Sequence, residues 1–163
     1  MFDPFTLVGF HTWLSLIGLI TGVIVSIGLI RVQSSPLWTA LFLVTAVATD
    51  ATGYVLPASH ILPSHIVAAI SLVALALAIV SRYRFHRVGA WRWIYPITTV
   101  MALYFLVFVG IAQAFLKIPA LHALAPTGSE PPFAIAQLIA LVLFVLLGIA
   151  TVRASHSSNS NPA

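Results

Sequence analysis

Apolar runs of about twenty residues follow one another along almost the whole of this 163-residue chain, each long enough to cross ~30 Å of hydrocarbon as a helix. The runs do not alternate in polarity, which removes the β-barrel, the other architecture that can satisfy every backbone amide inside a bilayer. Only 6% of the residues are charged, against roughly 25% in a soluble domain, so there is no solvated surface to clothe a water-soluble globule. The fold class these features predict is all-α: a polytopic membrane protein with five helices in one bundle.

The spans read as 6–30, 37–56, 64–80, 93–116 and 133–152, with the third able to run on through Ser81. The connectors RVQSSP, PASHILP, RYRFHRVGAW and KIPALHALAPTGSEPP carry turn chemistry. No internal repeat is evident. A single bundle over 1–153 is expected, followed by a small, polar tail over 154–163 with the composition of a disordered, cytoplasmic segment. Asp3, with no basic residue ahead of the first apolar run, predicts that this run is not a cleaved signal.

Direction follows from the basic residues. Arg31 lies in the first connector, Arg82, Arg84, Arg87 and Arg92 in or around the third, and Arg153 after the last span. With five spans these regions share one side, which the positive-inside rule makes cytoplasmic, so the chain is expected N-out and C-in. Trp38, Tyr83, Trp91 and Trp93 would mark that interface. Seven basic residues spread between spans form no phosphate-binding track, so nucleic acid is not an expected partner. Membrane lipid is, with RYRFHRVGAWRW as a surface anchor for anionic headgroups. The chain has no cysteine, which excludes disulfides, thiolate metal sites and thiol catalysis.

Depth follows from ~1.5 Å of rise per residue. Asp50 and His11 both lie several residues inside their spans, ~9 Å and ~7 Å below the outer boundary. Gln113, Gln137 and His65 fall in the same layer, and Tyr54 lies one turn beyond Asp50. In the first span His11, Ser15, Gly18, Gly22 and Ser26 form a stripe of small and polar residues of the kind that packs against other helices. Ala46 and Gly53 near Asp50, Gly110 near Gln113, and Ala140 and Gly148 near Gln137 point these side chains into the bundle as well.

A carboxylate at that depth takes a proton or finds a partner, and the matching depths predict a direct Asp50–His11 or Asp50–His65 interaction. The site residues expected to bind a ligand or proton are therefore His11, Asp50, Tyr54, His65, Gln113 and Gln137. The two glutamines can equally be interhelical glue, and His65 can simply occupy the first turn of its span with Ser64 as N-cap. His60 and His122 read as solvated loop residues. The loop ending in TGSEPPF, stiffened by Pro119, Pro126, Pro131 and Pro132, reads as a tethered lid able to bring Glu130 or His122 over the polar layer.

Three classes of function remain open. The first is binding or translocation of a small solute, proton or cation. Against it, the inner half offers no second ionisable residue, and five spans are few for paired repeats unless the protein dimerises. The second is redox chemistry: a b-type haem on His11 and His65, a quinol site of Asp50, Tyr54 and His65, or a metal held by His11, His65 and Asp50. The third is an accessory or assembly role in a larger membrane complex or homo-oligomer. The reading favours the first class over an enzyme and favours no particular cofactor.

The segments LPSHIV, GAWRWIY and KIPALHALAPTGSEPPF resemble those of a group of small, uncharacterised bacterial inner-membrane proteins, over residues 50 to 150. The resemblance implies a multi-pass protein of the bacterial inner membrane and brings no catalytic residues with it.

Overall fold

A computed structural model describes residues 3–33, 35–56 and 63–157. Six helices account for most of them: α1 (Leu7–Ile30), α2 (Pro36–Val55), α3 (Pro63–Ile79), α4 (Trp91–Lys117), the short α5 (Pro119–Leu124) and α6 (Pro131–Ser157). There is no strand among the described residues. The helix ends follow local chemistry. Thr6 caps α1 by accepting the Gly9 amide at 3.1 Å. At its other end Gln33 N–H bonds back to Gly28 O at 2.8 Å and Val32 N–H to Leu29 O at 3.3 Å, a Schellman closure with Val32 at φ 56°. A Cβ on Gly28 would sit 2.6 Å from the Gln33 carbonyl oxygen, so glycine is what lets the turn close. α3 begins at Pro63, which puts Ser64 inside the first turn rather than at the expected N-cap.

α3 does not end in a simple cap. Residues Val80–Arg84 widen into a π-helical turn, with Phe85 N–H bonded to Val80 O at 3.1 Å. The Phe85 ring then stacks on Trp91, 4.2 Å between centroids, and fixes where α4 starts. α6 runs through Ser157, so the first residues of the expected tail, 154–157, continue the helix. The rest of the tail, and His60, lie outside the described residues.

α1 packs on α2, α2 on α3, α3 on α4, and α4 back on α1, which closes a four-helix ring; α6 lies outside it, against α4 and α1. The stripe predicted on α1 is a packing face. A Cβ on Gly22 would lie 2.5 Å from Leu103 Cδ1 and 2.8 Å from Phe42 Cε2, and one on Gly18 would lie 3.4 Å from Thr45 Oγ1. The interior is a core of Val25, Phe42, Leu43, Leu75, Tyr95, Leu103 and Leu106 with alanines between them.

Unlike a soluble bundle, this one carries its apolar side chains on the outside as well as in the core and turns polar ones inward. Thr21, Thr45, Thr49, Asp50, Ser71, Thr98 and Gln137 are buried, while Ile20, Val44, Val73, Leu143 and Leu146 are among the many apolar side chains exposed outward. The buried threonines satisfy themselves on the preceding turn, as Thr21 does on Ile17 O and Thr45 on Leu41 O, both at 2.7 Å. An apolar exterior with the polar side chains turned inward is the arrangement hydrocarbon selects. Among the described residues, four stretches are long and apolar enough to cross a membrane: α1, residues Ser64–Arg84, α4 and Pro131–His156. α2, at 20 residues, is interrupted by four threonines and Asp50.

Candidate functional site

The polar residues read from the sequence do not form one cluster. Three helix seams divide them. In the α1–α2 seam the His11 ring Nδ1 lies 2.9 Å from Thr52 Oγ1. The Thr52 hydroxyl spends its own hydrogen on the Ala48 carbonyl at 2.7 Å, so it accepts and the imidazole donates from Nδ1. Gly53 leaves room for the ring: a Cβ there would sit 3.6 Å from His11 Cε1. Lys117, at the end of α4, is within electrostatic reach of the same imidazole.

The α2–α3 seam holds Asp50. Its carboxyl is buried, with the residue 9% exposed, and Ser71 opposite it on α3 is 1% exposed. The Ser71 hydroxyl lies close enough to interact with the carboxyl, yet neither Asp50 Oδ2 nor Ser71 Oγ completes a hydrogen bond with another described residue. One turn (~6 Å) nearer the end of α2, Tyr54 crosses the same seam. Its hydroxyl donates to the His65 carbonyl at 2.6 Å, and its ring stacks on the imidazole, 5.3 Å between centroids. Tyr54 is exposed and His65 half-buried, so this pair forms the outer rim of the seam and Asp50 its floor.

Gln137 occupies the third seam, between α6 and α4, where Nε2 donates to Phe108 O at 3.0 Å. That bond is the interhelical glue allowed for above, although Oε1 is buried without a partner. Gln113 faces outward on α4 and joins none of these groups, so its expected inward orientation is corrected.

The predicted Asp50–His11 ion pair is not formed: the imidazole takes Thr52 instead. Helix rotation explains the difference. At about 100° per residue, Asp50 and Thr52 stand about 200° apart on α2, so one faces α3 while the other faces α1. The same geometry separates the two histidines. His11 meets Thr52 and His65 meets Tyr54, again about 200° apart around α2. With α2 between them, the imidazoles do not converge on a single iron. No group of three His, Asp or Glu side chains comes together among the described residues, so the metal set of His11, His65 and Asp50 is not assembled either. Of the quinol set, Tyr54 and His65 are in contact, with Asp50 a turn below Tyr54.

The loop before α6 is ordered by its own contacts. The Glu130 carboxylate accepts from Thr127 N–H at 3.0 Å, Thr127 Oγ1 at 2.9 Å and Ser129 N–H at 3.0 Å. These donors, the Thr127 amide first, hold its carboxyl below the usual glutamate range. Glu130 thus closes its own turn at the start of α6 instead of reaching over the polar layer, and α5 packs on the end of α4 with His122 exposed.

Sequence reasoning missed Ser71 and Thr52. Ser71 left a signal, as the one hydroxyl between Val67 and Val80 in an otherwise apolar run, and Thr52 belongs to the Thr45–Thr49–Thr52 stripe on α2. No protein-family model matches the chain, and no curated protein or solved structure is significantly similar to it.

Proposed function

We propose that this chain is a five-span protein of the bacterial inner membrane, N-out and C-in, that binds a proton or small monovalent cation at Asp50 and Ser71 as part of its translocation. α2 is counted as the fifth span because its 20 residues measure ~30 Å and its polar side chains turn toward α1 and α3. The orientation rests on the arginines that follow α1 and α3, open α4 and close α6, all at one end of the bundle.

The single observation that carries the ligand reading is the pair of orphaned oxygens. A buried acceptor left without a donor costs about 1–3 kcal/mol, and such groups are few in folded proteins. Asp50 Oδ2 and Ser71 Oγ are two of them on facing helices. A proton shared between the oxygens, or a cation coordinated by them, satisfies both at once. The Tyr54–His65 rim lies on the approach from the α2 end, and His65 is the titratable group a proton would meet first. For a solute larger than an ion, the seam holds no more than these few polar atoms.

Binding stabilises the folded state in proportion to occupancy, so the test is the unfolding midpoint of the purified protein, followed against Li⁺, Na⁺ and K⁺ and against pH. A midpoint that moves with one of these in the wild type but not in Asp50→Asn supports the reading. Equal responses in both proteins would refute it.

A further inference from the structure

The four-helix ring carries a second set of orphaned oxygens, in the half away from Tyr54 and His65. Ser26 Oγ on α1, Ser81 Oγ in the π-helical turn that closes α3 and Thr99 Oγ1 on α4 are buried and complete no hydrogen bond with a described residue. The three residues are 2%, 0% and 0% exposed. Thr39 on α2, equally buried, donates its hydrogen to Ser35 O at 2.9 Å and keeps its capacity to accept.

Helix register gathers these hydroxyls. Gly18 of α1 meets Thr45 and Leu106, and Gly22 meets Phe42 and Leu103, so α1 runs antiparallel to both α2 and α4. One turn further along α1 is Ser26; one turn back from Leu103 is Thr99, and three residues back from Phe42 is Thr39. Steps of three and four residues keep the same faces turned toward one another, so these three hydroxyls share a level inside the ring. On α3 the inward face runs Ser71, Ala74, Leu75, Ala78, Ser81, all buried. From Asp50 to Thr39 is eleven residues along α2, and from Ser71 to Ser81 is ten along α3. Ser81 therefore lies within about one turn of the same level. Each helix of the ring supplies one buried hydroxyl to the layer.

The partner these hydroxyls lack has a definite chemistry. An unbonded hydroxyl needs an acceptor for its hydrogen and a donor for its lone pairs. A metal cation serves only lone pairs and would leave the hydrogens of Ser26, Ser81 and Thr99 unpaired. Water serves both, and a buried water makes about three hydrogen bonds. Two interruptions of the helical ladder lie beside the layer: the π-turn that begins at Val80, and Pro96, which removes an amide from α4 three residues before Thr99. Backbone groups freed in this way within membrane helices are satisfied by Ser and Thr side chains and by ordered water.

We propose that Ser26, Thr39, Ser81 and Thr99 hold ordered water in the inner half of the bundle, and that this hydrated layer is the inner station of the path by which Asp50 exchanges its proton with the cytoplasmic side. The water site stands on its own observations; its place on a path rests on the translocation reading above. It supplies what the inner half otherwise lacks, a relay that needs no ionisable side chain. Each oxygen takes a proton on a lone pair and hands its own hydrogen to the next, so every group regains its composition after the transfer. Phe42, Leu75 and Leu103, all buried, fill the ~16 Å between the two stations. They form the apolar constriction that must wet for a proton to pass.

The water is tested without a variant. In water-edited solid-state NMR of the lipid-embedded chain, magnetisation from water should reach Ser26 and Thr99 about twofold faster than Leu75 and Leu103. Equally slow transfer to all four would mean a dry layer and overturn the proposal. The path is tested as proton flux into vesicles loaded with a pH-sensitive dye. Ser26→Ala and Thr99→Val should each slow it about tenfold, while Thr99→Ser, which keeps the hydroxyl, should stay within about twofold of wild type. Thr21→Val, which removes a hydroxyl already bonded to Ile17 O, should do the same. Wild-type flux no greater than that of empty vesicles, or a Thr99→Ser protein as slow as Thr99→Val, would overturn the relay. The two readings fail separately. Flux lost in Asp50→Asn but unchanged in Ser26→Ala and Thr99→Val would remove the inner station and leave Asp50 in place. Flux lost in those two but kept in Asp50→Asn would remove Asp50 and leave the station.

Discussion

Replacing Asp50 with asparagine should make the protein more stable, not less, when neither cation nor acid is supplied. The buried oxygens Asp50 Oδ2 and Ser71 Oγ approach each other across the seam without a completed hydrogen bond, and a bond left unmade there costs about 1–3 kcal/mol. Asparagine keeps the shape of aspartate, removes the charge and brings an amide that can donate to Ser71 Oγ. One orphan is thereby satisfied and a buried charge is removed, so the expected gain is about 1–3 kcal/mol at neutral pH in a sodium- and potassium-free buffer. Saturating ligand then closes or reverses the gap. At a hundred times its dissociation constant the ligand adds about 2.7 kcal/mol to the wild type and nothing to the variant. The assay is reversible unfolding in mixed micelles, followed by far-UV circular dichroism. A structural clamp predicts the opposite starting point, because removing a carboxylate that held α2 to α3 would destabilise the bundle under all conditions. An Asp50→Asn protein that is less stable than wild type without ligand refutes the reasoning.

Gly22→Ala should destabilise the bundle by about 1–3 kcal/mol relative to Gly110→Ala, because the new methyl meets Leu103 and Phe42 at 2.5–2.8 Å while nothing lies within 4 Å at Gly110; the helix-propensity gain is common to both and cancels, and equal unfolding free energies would contradict the packing account. The Glu130 carboxyl should titrate below an ordinary glutamate when followed by carbon-13 NMR. Because its folded value is depressed, the ordering it gives the Thr127–Glu130 turn is complete above the ordinary glutamate range and is lost as pH falls through the lowered value; a midpoint at or above the usual value contradicts this. Nitrogen-15 shifts of His11 should show the proton on Nδ1 in the neutral ring, as the Thr52 contact requires, and the Nε2 tautomer would show that the contact is misread.

Much of the architecture was legible because hydrocarbon imposes simple rules. Run length gave the long helices, and the small-residue stripe of α1 gave its packing face, where Gly18 and Gly22 meet Thr45, Leu103 and Phe42. The burial of Asp50 was legible too, since a charge at that depth is tolerated only inside the bundle. Its partner was not. Depth along a helix is a matter of counting, but partner choice depends on rotation, and each residue turns the direction by about 100°. Asp50 and Thr52 share a depth and face opposite neighbours, so the imidazole that depth assigned to Asp50 belongs to Thr52. Gln113 failed for the same reason: a glycine one turn away does not make its face a packing face, and nothing lies within 4 Å of a Cβ at Gly110.

If the Asp50 carboxyl takes a proton or a small cation in the α2–α3 seam, its vibrational band must respond to that ligand. Infrared difference spectroscopy on the protein in lipid, recorded while pH or cation concentration is changed, reads that group directly. A carboxyl band should be sensitive to one of these variables, missing from Asp50→Asn and shifted by Ser71→Ala. Carboxyl bands that are indifferent to pH and to Li⁺, Na⁺ and K⁺, or that persist unchanged in Asp50→Asn, would contradict it.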